Sequence, residues 1–123
     1  MHMIDDNGVY LMTEPVKLYV FKREERVKLS FRVTDYCAIH RHMSIYNFQY
    51  ICENWLKGVE GLETEEGKWY WYYSPCGPRP EQEPCEFVGI NFGEWSFRIN
   101  VQQMMALVDA FQFQMNNKMH WDD

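Results

Sequence analysis

The stretch VKLYVFKREERVKLSFRVT, residues 16–34, decides the fold. Val16, Leu18 and Val20 alternate with Lys17, Tyr19 and Phe21, so an extended backbone places three aliphatic side chains on one face. A charged turn, Lys22-Arg23-Glu24-Glu25-Arg26, follows. Val27, Leu29, Phe31 and Val33 then alternate with Lys28, Ser30, Arg32 and Thr34. Two such runs around a short polar turn predict an antiparallel hairpin with one apolar face.

Downstream, residues 35–43 show no clean period and read as irregular. Ser44 suits an N-cap, and behind it Ile45, Phe48, Ile51, Cys52, Trp55 and Leu56 recur at helical spacing until Gly58. Glu60–Gly67 reads as an acidic, solvated loop. Lys68-Trp69-Tyr70-Trp71-Tyr72-Tyr73 is strand-like because aromatic residues favour pleated surfaces. Ser74–Pro84 contains four prolines and reads as a loop. Cys85–Phe92, with Val88, Ile90 and Phe92 on one side, and Trp95–Ile99 predict two further strands. Asn100 caps a last helix striped with Val101, Met104, Met105, Val108, Phe111 and Met115.

Residues 1–13 form an N-terminal arm in which Val9–Met12 can add an edge strand, and 118–123 form a C-terminal tail. The order β-β-α-β-β-β-α predicts one α+β domain spanning residues 1–123. Its sheet is mainly antiparallel, of about five strands, with both helices on one face. Phe31, Trp55, Phe97 and Phe111 are expected to be buried. No internal repeat or dividing linker is visible.

The chain has 123 residues and is 46% hydrophobic, which suits one folded domain rather than a disordered chain. No apolar run approaches the roughly 20 residues that a membrane-spanning helix needs, and the N-terminus lacks the features of a signal peptide. These features imply a cytoplasmic protein with four reduced cysteines, at positions 37, 52, 76 and 85. Nothing calls for a cofactor. The net charge of −6 is uneven. Residues 14–43 hold seven Lys/Arg against four Asp/Glu, whereas 44–95 hold three against nine. One end of the fold is thus expected to be basic and the other acidic.

Three constellations carry chemistry. His40 and His42, with Cys76 and Cys85, offer nitrogen and sulfur ligands for zinc, although Cys-x8-Cys is not the usual tight knuckle. Cys37 lies three residues before His40, which allows a Cys–His pair, but no nucleophile elbow or phosphate-cradling glycine loop is present. On the outer face of the first hairpin, Tyr19 and Phe21 stand among Lys17, Lys28 and Arg32, a mixture suited to stacking bases and neutralising phosphates of single-stranded nucleic acid.

The aromatic strand weighs more than any of these. Aromatics make up 17% of the chain, and consecutive rings at 69–73 load both faces of a strand. Trp69, Trp71 and Tyr73 share one side, Tyr70 and Tyr72 the other. Helices on one face of the sheet cover only one set, so the other set is expected at an interface. The expectation is a non-catalytic protein-binding module of the accessory, inhibitor or immunity type, forming a homodimer and binding a basic protein partner. The acidic loops 60–66 and 81–86 would steer that partner. The alternatives are a single-stranded nucleic-acid binder and a small zinc protein or Cys/His enzyme.

Overall fold

A computed structural model describes Ile4 and residues 8–75 and 84–116. The chain runs β1 (Val9–Leu11), β2 (Lys17–Phe21), β3 (Arg26–Thr34), β4 (Cys37–Ser44), α1 (Ile45–Leu56), β5 (Gly61–Thr64), β6 (Gly67–Pro75), β7 (Pro84–Phe92), β8 (Trp95–Asn100) and α2 (Val101–Asn116). The α+β class stands, but the expected single sheet is divided. One sheet has the order β1-β8-β7-β6-β5 and the other the order β2-β3-β4. Every ladder is antiparallel except β1 on β8.

Two strands lie where the sequence reads as loop. β4 pairs along β3 with Val27 opposite Met43, Leu29 opposite Arg41 and Phe31 opposite Ile39. Only Met43 of these β4 residues is buried, and Arg41 takes an inward position with its guanidinium 5.5 Å from the Trp95 ring centroid. A charged residue on the inner face erases the alternation that marks a strand. β5 has a single buried residue, Leu62, opposite Trp69. Four residues with one apolar side chain have no period to detect.

Phe31, Trp55, Phe97 and Phe111 are all buried, as expected. Phe31 of β3 stacks on Phe97 of β8, with centroids 3.9 Å apart and planes 6° from parallel. Phe48 of α1 meets Trp69 of β6 edge-on at 5.8 Å and Phe111 of α2 at 5.0 Å. The three-stranded sheet and both helices therefore pack on the same, inner face of the five-stranded sheet.

Among the described residues the order of elements repeats although the sequence does not, four strands and a helix, twice, with β1 crossing to the sheet of the second half. In each half the last strand enters its helix without a loop, because a cap sits at the junction. Ser44 Oγ accepts from the Tyr46 and Asn47 amides. Asn100 Oδ1 accepts from the Gln103 amide while Gln103 Oε1 accepts from the Asn100 amide, both at 2.8 Å. The latter is a reciprocal capping box.

Gln103 and Gln114 lie on the buried face of α2, three turns apart, where the apolar stripe alone would exclude them. Gln103 Nε2 donates to the carbonyls of Met12 and Glu14. Gln114 Nε2 donates to Leu18 O at 2.8 Å and its Oε1 accepts from Val20 N at 2.9 Å. Among the described residues no strand pairs with the outer edge of β2, and the Gln114 amide bonds there in its place.

Gln114→Leu removes both bonds to the buried edge of β2, at about 1–3 kcal/mol each. The expected loss is roughly 2–6 kcal/mol in urea denaturation. Gln112→Leu, on the exposed face, should leave the midpoint nearly unchanged.

Candidate functional site

The outer face of the five-stranded sheet carries a row of rings. Tyr70 and Tyr72 project outward from β6, and Phe87 projects from β7 opposite Tyr72. Ring centroids are 5.7 Å apart for Tyr70–Tyr72 and 5.9 Å apart for Tyr72–Phe87. Gly89 stands opposite Tyr70, and a Cβ there would run into the Tyr70 ring. The missing side chain thus lets that ring lie down on the sheet. Cations flank the row: the Arg98 guanidinium is 4.3 Å from the Phe87 centroid and Lys68 Nζ is 5.9 Å from that of Tyr70. Attractions of this kind hold the rings and charges in one surface.

The expected aromatic surface is therefore divided. Trp69 and Trp71 belong to the inner face of the sheet. Trp69 is buried, and Trp71 packs edge-on against Trp55 at 5.4 Å. Tyr73 shares their side of the strand but lies beyond the core and is 63% exposed. Phe87, Gly89 and Arg98 are additions to the site. Phe87 was legible, since Val88, Ile90 and Phe92 on one side leave it on the other. Arg98 needed the pairing of β7 with β8.

The acidic segment 60–66 is partly structural. Both Glu66 carboxylate oxygens accept from Ser44 N, at 3.0 and 2.9 Å, and one accepts from Asn47 Nδ2 at 2.6 Å. That carboxylate helps to start α1 and is not a steering charge. Glu60, Glu63 and Glu65 remain exposed along the β5 edge. Residues 81–83 of the other acidic loop, and the tail 118–123, lie outside the described residues.

A second open surface is the outer face of the three-stranded sheet. Its cross-strand rows are Lys17–Ser30–His40, Tyr19–Lys28–His42 and Phe21–Arg26–Ser44. Lys28 Nζ lies 4.7 Å from the Tyr19 ring centroid and the Arg26 guanidinium 4.2 Å from that of Phe21. Arg26 also donates to His42 Nδ1 at 2.7 Å and pairs with Glu24 at 2.7 Å. Arg32 continues the face and pairs with Glu14 at 3.5 Å. The histidines thus join the cations that the sequence places on the hairpin.

The zinc and Cys–His constellations are not brought together. Cys37 and His40 are three apart on one strand, which turns them to opposite faces. His40 and His42 lie on the three-stranded sheet, whereas Cys85 lies on β7 of the other and is disulfide-bonded. Cys76 lies outside the described residues. Among the described residues, no three His, Cys, Asp or Glu side chains are close enough to hold a metal. The disulfide at Cys85 overturns the expectation of four free thiols and, with it, the thiol argument for a cytoplasmic setting. The ladder that places Ser74 opposite Cys85 brings the two ends of the proline-rich segment together, which the linear spacing conceals. No described helix is long and apolar enough to cross a membrane.

A groove of about 290 Å³ separates the helices and is lined by Cys52, Leu56, Phe111 and Met115, with Gln49, Glu53, Gln112 and Asn116 at its rim. Burial pushes the Cys52 thiol up to about 12, so it offers no thiolate near neutral pH.

Partial burial, then the charges of Arg26, Lys28 and His40, hold the His42 imidazole below its ordinary value of 6.5, against an opposing pull from Glu24. Protonation also removes the lone pair that accepts from Arg26. The unfolded chain therefore binds this proton more readily, and stability present above pH 6.5 is lost as pH falls through the lower folded value. Urea midpoints of the native chain should fall below that pH, and His42→Gln should flatten part of the fall. Thiol titration under denaturing, non-reducing conditions should detect Cys37 and Cys52, the free thiols among the described residues, and should not detect Cys85.

Comparison with protein-family models, curated proteins and solved structures finds no match, so function is argued from the two open faces.

Proposed function

We propose that this protein is a non-catalytic module that binds a protein partner through the outer face of its five-stranded sheet. One observation carries this reading. The second sheet and both helices pack on the inner face, while Tyr70, Tyr72 and Phe87 form a contiguous ring surface on the other. Tyrosines with an arginine beside them are the residue types that anchor protein interfaces. The rings are held by the sheet, by Gly89 and by each other, so little side-chain freedom is lost on binding.

The rim favours a partner with basic residues at its edge, because Glu60, Glu63 and Glu65 line the neighbouring β5. Accessory, inhibitor and immunity proteins act through rigid surfaces of this kind. In the absence of a partner, a two-fold homodimer through the same face covers the rings. Two features support a non-catalytic role: the Cys37 and His40 side chains diverge, and the buried Cys52 thiol is not activated.

The test is a Tyr70→Thr, Tyr72→Ser, Phe87→Ser triple variant, compared with the native chain by light scattering and by co-purification from the native host. Loss of the partner and a shift from dimer to monomer are expected, with the circular dichroism spectrum retained. Gly89→Ala should lift the Tyr70 ring and weaken partner capture about tenfold, since one lost anchor is worth about 1–2 kcal/mol. Unchanged mass and unchanged capture in the triple variant would remove the basis of this reading.

A further inference from the structure

The outer face of the three-stranded sheet carries Lys17, Arg26, Lys28 and Arg32, and its strands hold not one Asp or Glu. This is a segregation of charge in a chain of net charge −6. The acidic partners of the face, Glu24 and Glu14, reach in from the turn after β2 and from the segment before it. We infer that the outer face of β2-β3-β4 is a second binding surface, separate from the ring surface, and that it takes single-stranded nucleic acid.

The charge argues for a polyanion, and the aromatics choose among polyanions. Tyr19 and Phe21 project from β2 into the same face, half-exposed, and each already holds a cation against its ring. A ring with a cation beside it is what a base and its phosphate require, since the base stacks while the cation neutralises the backbone. Duplex DNA keeps its bases inside and is read by an element entering a groove, and no helix or long ribbon projects from this face among the described residues. An acidic protein would also use the cations, but a ring beside a cation in two successive rows matches the repeat of base and phosphate along a single strand. The three rows place Lys17, Lys28 and Arg26 diagonally across β2 and β3, with Arg32 beyond and His40 and His42 on the flanking strand. A backbone running along the strands passes a cation at each row.

The probe is a fluorescein-labelled 20-mer of mixed-sequence single-stranded DNA, titrated with the full chain and read by anisotropy at several salt concentrations. Binding should weaken linearly in log–log form with salt, with a slope of about −0.7 for each phosphate neutralised. Lys28→Glu with Arg32→Glu should weaken binding at least tenfold at low salt and flatten the slope by roughly 1.4. Tyr19→Ser should weaken single-strand binding by about five- to a hundredfold. Where the double variant fails to fold, Lys17→Glu at its exposed position replaces it. Any of three results overturns the inference: no binding by the native chain at micromolar concentration, equal binding to poly-glutamate or the matched duplex, or indifference to the charge reversals. The ring-surface variant Tyr70→Thr, Tyr72→Ser, Phe87→Ser should bind the oligonucleotide like the native chain, and a parallel loss would place the nucleic acid on the other sheet.

Discussion

A strand edge met by a helix in the interior is the constraint around which this chain is arranged. Among the described residues β2 ends the three-stranded sheet, and its edge faces α2. Unpaired, the Leu18 carbonyl and Val20 amide would each cost more than a typical hydrogen bond contributes. The Gln114 amide matches both, and Gln103 does the same for the Met12 and Glu14 carbonyls. The position of α2 is thus set by polar matching along its length as well as by burial of Met104, Leu107, Val108 and Phe111. Since α2 also packs on β7 and β8, the same helix joins the two sheets.

The Phe31–Phe97 stack makes the second junction, directly between the sheets. With both helices and both inner faces used in one core, each sheet keeps an outer face. The two faces differ in chemistry. One is a row of packed rings with a cation at either side; the other is a cationic surface whose rings are overlain by lysine and arginine. A single small chain therefore presents two surfaces suited to different partners, one neutral and aromatic, the other complementary to a polyanion.

Legibility followed the strength of the local pattern. β3 was readable because four inward positions are aliphatic or aromatic and four outward ones are polar. α1 was readable from its spacing and from Ser44. β4 was not, because Arg41 sits inward against the ring of Trp95, a residue more than fifty positions away that no local window includes. β5 was hidden by the glutamates in and around it, of which Glu66, in the turn that follows, is recruited to cap α1. Gln103 and Gln114 were hidden for the same reason, since a buried amide makes sense only once its backbone partners are in place.

By itself, the sequence determined that this is an α+β chain, that the first hairpin has an apolar and a cationic face, and that residues 69–73 load two faces with rings. Those are consequences of the two-residue period of a strand, which is local. Tertiary structure decided that there are two sheets, that Trp69 and Trp71 lie on the inner face while Tyr70 and Tyr72 lie on the outer one, and that His40 and His42 join Lys28 rather than a cysteine pair. A strand's period establishes that two faces exist, but which face is covered depends on packing between segments far apart in the chain.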